Sequence, residues 1–104
     1  MVYIVLYTQA AHNDLVSIYD YIAHDLLEPI VAGNLINKIK NAIYSLSTFP
    51  WRHQKCELLQ AQKEERRQFA VNGYIVIYEI DEHNKTVNII RIVCEKRYFT
   101  NMIN

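Results

Sequence analysis

Near the end of the chain an apolar run, VNIIRIVC, gives way to Lys96, Arg97 and Tyr98. These side-chain types suffice for metal-free RNA cleavage: Arg and Lys neutralise the charge of a pentacoordinate phosphate, and a phenol passes a proton. They suffice equally for docking on a nucleic-acid backbone or an acidic protein. Lys55 and Arg67 could gather with them on one basic face. Arg91 interrupts a run that is apolar on both sides. A guanidinium there must be paired or must open onto a cleft, because an unpaired buried charge is very costly. One reading is a structural salt bridge to Glu79 on the neighbouring strand, and the other is a binding role.

Other chemistries have less to stand on. Gly33 and Gly73 are isolated, so there is no glycine-rich phosphate loop, and no nucleotide cofactor is expected. His12, His24, His53 and His83 are scattered without a ligand at helical spacing, so no metal is expected either. Asp14, Asp20 and Asp25 read as the wet side of a helix. Cys56 and Cys94 fit a reduced pair, although one disulfide is not excluded. The opening MVYIVLYTQAAHND lacks a basic leader and its apolar run is too short to cross a membrane, so a cytoplasmic protein is expected.

The elements that must position these residues follow from periodicity. Half of the 104 residues are apolar and only two are Gly and two Pro, which fits one globular domain over residues 1–104 with short connections. Residues 2–7 are β-branched and aromatic and read as a strand. Thr8 can cap a helix with the stripe Ala11, Leu15, Ile18, Ile22 and Leu26. Pro29 opens a second helix with the stripe Ala32, Leu35, Ile36, Ile39, Ile43 and Leu46, which Phe49-Pro50 stops. Residues 51–64 show no period and read as a loop. Asn72-Gly73 between RQFAV and YIVIYEI marks a hairpin with a type I′ turn, and DEHNK turns the chain into a last strand, TVNIIRIVC. Tyr74 and Tyr78 share a face with Val76 and Ile80 and read as core. The expected fold is α+β with order β-α-α-β-β-β: an antiparallel helical hairpin packed on one face of a four-stranded, mostly antiparallel sheet whose first and last strands are neighbours.

The formal charge is zero, but residues 1–50 carry four acids and two Lys or Arg, and residues 51–104 carry seven and nine. The second half is mildly basic, which fits either a binding face or an ordinary solvated surface.

Three stretches together resemble the RelE/ParE superfamily of toxins from type II toxin-antitoxin systems: YTQAAHNDLVSIYDYIA, AGNLINKIKNAIYSLSTFP and RQFAVNGYIVIYEIDEHNKTVNIIRIVCEKR. The resemblance spans almost the whole chain and rests on the order and spacing of all three. It implies a small growth-arresting toxin held inactive by a cognate antitoxin. ParE-like members inhibit DNA gyrase; RelE-like members enter the ribosome and cut mRNA without a metal. RelE-like nucleases carry a base a few positions before the residue matching Tyr74, where this chain has Ala70. Lys96-Arg97 matches the basic pair after the last strand in both branches, but Cys94 replaces the usual aromatic and Tyr98 the common Asp. The long helices also look ParE-like. The expectation is a gyrase inhibitor with Arg67, Arg91, Lys96, Arg97 and Tyr98 as target-binding surface. The alternatives are a ribosome-dependent endoribonuclease using Arg67, Lys96, Arg97, Tyr98 or His53, and a non-toxic binding partner of an antitoxin.

Overall fold

The computed structural model describes residues 2–55 and 66–96. The chain runs β1 (Ile4–Tyr7), α1 (Gln9–Asp20), a π-helical turn (Tyr21–Asp25), α2 (Pro29–Tyr44), β2 (Gln54–Lys55), β3 (Arg66–Val71), β4 (Tyr74–Asp81) and β5 (Thr86–Cys94). Short 3₁₀ turns at Ser45–Ser47 and Pro50–Arg52 lead from α2 to β2. The sheet order is β1-β5-β4-β3-β2, with β1 parallel to β5 and the other pairs antiparallel.

The α+β fold, the helical hairpin and the β1–β5 pairing are therefore as expected, but there is a fifth strand. Gln54–Lys55 lies within the segment read as a loop and pairs with Arg67 and Gln68. Two polar residues paired along one edge leave no period-2 hydrophobic signal, which is why the pattern missed them. The Asn72-Gly73 turn has positive φ at both residues, as type I′ requires.

The main core lies between hairpin and sheet. Ala11 and Leu15 from α1 and Ile39, Ile43 and Leu46 from α2 and its last turn meet Val76, Tyr78, Ile80, Val87, Ile89 and Ile92. On the other face Ile75 and Ile77 pack with Ile90 and Val93. Strict alternation along β5 would have put Ile92 with Ile90 and away from Ile89. The register shows why it does not: Tyr78 lies opposite Ile89 and Ile77 opposite Arg91, so Ile90 is an extra, bulged residue that shifts the phase. Helix one also departs from its expected stripe. Past Asp20 it widens into the π turn, so Ile22 stays buried while Leu26 is left exposed.

Arg91 is bound to Asp14 of α1, and Glu79 is bound to Arg66, which corrects both the reading of an Arg91–Glu79 pair and the reading of Asp14 as surface decoration. The cause lies in the sheet edge. β1 covers β5 only as far as Ile89, so the β5 amides beyond it need another acceptor. The helix supplies it: Asp14 Oδ2 accepts the Ile92 N–H at 2.8 Å and Arg91 Nε at 2.7 Å, and Oδ1 accepts Arg91 Nη2 at 3.0 Å. Thr8 joins the same edge, its hydroxyl 2.9 Å from the Ile89 carbonyl and its Oγ1 accepting the Ala11 N–H as the helix cap.

The Arg91 side chain is 48% exposed and that of Asp14 16%, so the amide contact should outweigh the solvent-screened ion pair. Asp14→Ala is expected to lower stability by about 1–3 kcal/mol. Arg91→Ala is expected to cost at most about 1 kcal/mol. Asp14→Asn, which keeps an acceptor, should lie between them. Urea unfolding of the three variants checks this, and equal losses for Asp14→Ala and Arg91→Ala would mean that the ion pair carries the contact.

Candidate functional site

The candidate residues fall into two groups. The first surrounds the start of β3. Phe49, in the left-handed region at φ 51°, turns the chain out of α2 and lets Pro50–Arg52 form a single 3₁₀ turn. Arg52 holds that exit: its guanidinium donates to the carbonyls of Thr48 at 3.0 Å and of Ser45 and Phe49 at 3.3 Å. Arg52 thus completes the carbonyls that the helix end leaves over.

The 3₁₀ turn sets Trp51 and His53 beside Arg67. Arg67 Nη1 donates to the His53 carbonyl at 2.5 Å, and its guanidinium carbon lies 5.0 Å from the centre of the Trp51 ring, a cation–π distance. The indole N–H of Trp51 donates to Glu82 Oε1 at 3.1 Å, and the Tyr3 hydroxyl donates to the same oxygen at 2.7 Å. The His53 ring stacks on Phe69 with centroids 4.5 Å apart and meets Tyr78 edge-on at 6.2 Å. Desolvation, then the charges of Arg52 and Arg67, push the His53 pKa below its ordinary value. The imidazole is therefore neutral at pH 7. Tyr78 is fully buried and donates to the Pro50 carbonyl at 2.6 Å. Burial raises its pKa to about 12 against a smaller opposing pull from Arg67 and Arg52, so it is structural rather than a proton carrier.

The second group lies at the end of β5. Arg91 is turned onto Asp14, which raises its pKa further. The Glu95 N–H donates to the Gly73 carbonyl at 2.9 Å, fixing the backbone just before Lys96, which is exposed. Arg97 and Tyr98 lie outside the described residues, as does Cys56.

The two groups do not converge. Arg67 lies opposite Tyr78, on the helix side of the sheet, whereas Arg91 lies opposite Ile77, whose side chain belongs to the other face. Two strand spacings, about 10 Å, separate β3 from β5. Ala70 is exposed and pairs with Ile75, on the face away from Arg67. Sequence reading missed Asp14, Trp51 and Phe69. Trp51 and Phe69 stand at i and i+2 around His53 and Arg67, but only a fold that pairs β2 with β3 brings them together. Among the described residues no group of three or more His, Cys, Asp or Glu side chains is placed to hold a metal ion, and no helix is long and apolar enough to cross a membrane.

A family model described as the ParE toxin of the type II toxin-antitoxin system parDE matches residues 5–99. The chain belongs to this ParE toxin family. No curated protein matches the sequence. Among solved structures, this ParE-family chain is similar to one from the chromosomal ParDE toxin-antitoxin system of P. aeruginosa, with TM-score 0.73 and 18% identity over 89% of this chain and 96% of that one. It is also similar to a chain of the RelBE2 toxin-antitoxin complex of Mycobacterium tuberculosis, with TM-score 0.59 and 23% identity over 90% and 99% of the two chains. A third likeness is to the archaeal RelE-RelB complex of Pyrococcus horikoshii, with TM-score 0.63 and 13% identity over 93% and 99%. At these identities the likenesses establish a shared RelE/ParE fold.

The site makes stability depend on pH at both ends. Because folding lowers the His53 pKa, its contribution is present above about 6.5, the unfolded value, and is lost as pH falls through the folded value. Because folding raises the Tyr78 pKa, its contribution is present below about 10 and is lost as pH rises through about 12. His53→Leu should flatten the acid limb of a stability–pH curve. Tyr78→Phe should soften the alkaline limb and cost about 1 kcal/mol at neutral pH. An acid limb unchanged in His53→Leu would show that His53 is not held neutral by this cluster.

Proposed function

We propose that this ParE-family toxin arrests growth by inhibiting DNA gyrase in the cytoplasm, without cutting nucleic acid, and that a cognate antitoxin holds it inactive. The observation that carries the reading is the placement of Arg67 relative to Ala70. A RelE-like nuclease, on the resemblance above, has a base on the second long strand near position 70. Here that position is an exposed Ala on one face, while Arg67 stands on the other, occupied by the His53 carbonyl and the Trp51 ring. The two nearby proton carriers support the same reading: His53 is stacked and Tyr78 is spent on the Pro50 carbonyl. The family match and the ParDE neighbour add to it. In this reading the basic residues bind the target: Lys96 with Arg97 and Tyr98 at the end of β5, and Arg67 and Arg91 as charges fixed by their neighbours.

A second reading, a ribosome-dependent mRNA endoribonuclease, draws on one observation, the closeness of His53 and Arg67. In it Arg67 and Arg97 hold phosphate, and His53, Lys96 or Tyr98 moves the proton.

Purified toxin freed of antitoxin should inhibit gyrase supercoiling and leave mRNA intact in a translation extract. The double variant Lys96→Ala, Arg97→Ala should weaken supercoiling inhibition about tenfold or more, the effect of losing well-placed charge contacts. Cut mRNA with unaffected supercoiling would overturn the gyrase reading in favour of the nuclease.

A further inference from the structure

From Lys38 to Lys55 the chain carries Lys38, Lys40, Arg52 and Lys55 and no Asp or Glu. All four are exposed, and three exposed aromatic rings lie among them: Tyr44 at 72%, Phe49 at 79% and Trp51 at 40%. The core takes other residues from this stretch, Ile39, Ile43, Leu46 and Pro50, which are buried. Tyr44 and Phe49 therefore leave large apolar surface in water, next to a third ring that is partly open.

The fold gathers these side chains at the exit of α2. Tyr44 closes the helix, and Ser45 beside it accepts the Arg52 guanidinium through both its hydroxyl and its carbonyl. The Ser45 hydroxyl donates in turn to the Ala42 carbonyl, and Lys38 lies one turn further back on the same face. Lys40 and Tyr44 stand four apart, which makes them neighbours on the helix surface. Phe49 and Trp51 flank Pro50 in the turn that Arg52 ties to the helix end. Phe49 also has φ 51°, a backbone conformation that strains a residue with a Cβ. Strain and exposure together mark its ring as a contact.

Exposed rings interleaved with cations are how proteins hold an unpaired nucleic-acid strand: the rings stack on bases while Lys and Arg lie against phosphates. Glu82, which accepts the Trp51 indole N–H, is paired with Lys85, so its charge is offset. A duplex offers phosphates but hides the faces of its bases. An acidic peptide offers carboxylates and need not carry a ring to stack. Only an unpaired strand uses both halves of this surface throughout.

We infer that the exit of α2, with Tyr44, Phe49 and Trp51 as a stacking platform and Lys38, Lys40 and Arg52 against phosphates, binds an unpaired stretch of DNA. The choice of DNA over RNA rests on gyrase being the target; the surface itself does not. On that target the toxin holds a strand that the enzyme has opened, which keeps gyrase on DNA.

The test uses the full toxin and needs no gyrase. Trp51 is the sole tryptophan, so its fluorescence reports on the platform directly. An oligothymidylate of about 16 nucleotides, the upper site size of one small binding fold, should quench it. Binding should weaken with salt, with a slope of about −0.7 per phosphate neutralised, and Lys38→Ala with Lys40→Ala should reduce that slope by about 1.4. Phe49→Asn removes the ring and suits the left-handed backbone, so its thermal midpoint should stay or rise while labelled oligothymidylate binds about tenfold more weakly, the loss of one stacked base. A duplex of the same length and poly-glutamate should bind more weakly and leave Trp51 unquenched. Equal binding of either, or undiminished binding by Phe49→Asn, would overturn the inference. Tighter binding of oligouridylate than of oligothymidylate would overturn the choice of DNA. Supercoiling inhibition by the same wild-type preparation separates the two failures. Inhibition without strand binding overturns this surface alone, whereas strand binding without inhibition overturns the gyrase reading and leaves the surface standing.

Discussion

The edge of β5 is shared between a strand and a helix, and most of the architecture depends on that handover. β1 pairs with β5 from Thr86 to Ile89 and then stops, because Thr8 must cap α1. Beyond that point the edge would carry unpaired amides, which is costly and invites pairing with another chain. Thr8 and Asp14 close it, one through the Ile89 and Ile90 carbonyls and the other through the Ile92 amide. The bulge at Ile90 sits at the same place and lets Ile92 return to the helix side, under α1. Helix, sheet edge and bulge are thus one device that fixes how the hairpin lies on the sheet.

The local grammar of the chain was legible because it is local. The Asn72-Gly73 turn, the Thr8 cap, Pro29 at a helix start and the limits of β5 each rest on a few adjacent residues whose conformational preferences agree. What escaped depends on distant residues meeting. Arg91 has an acid on the adjoining strand and another 77 positions away, and only the handover at the β5 edge makes the distant one the partner. β2 escaped because an edge pair of two polar residues has no hydrophobic period. The bulge escaped because Ile89 and Ile90 are both apolar, so nothing in the pattern marks one of them as the inserted residue. The π turn has no sequence signature of its own, and its trace is the exposure of Leu26, which the helical stripe had placed inside.

The candidate site was legible as a set of residue types and not as a place. Arg67 and His53 do meet, but through a backbone carbonyl and with the imidazole stacked away, whereas Arg91 is held at the β5 edge by Asp14. Rigid, solvent-poor positioning suits a surface that must present fixed charge, and it suits poorly a group that must exchange protons with a substrate. Charge is also spread unevenly: from Thr8 to Asn37 the chain carries Asp14, Asp20, Asp25 and Glu28 and no Lys or Arg, and Lys38 and Lys40 follow on α2.

The central claim is that this ParE-family chain acts on gyrase and cuts no RNA. The most direct measurement is made in cells expressing the toxin without antitoxin: sites of gyrase covalently trapped on chromosomal DNA are mapped beside the 5′ ends of all mRNAs from the same culture. The account predicts trapped gyrase within the onset of growth arrest and an mRNA end profile indistinguishable from that of uninduced cells. New mRNA ends within translated reading frames, with no trapped gyrase, would contradict it.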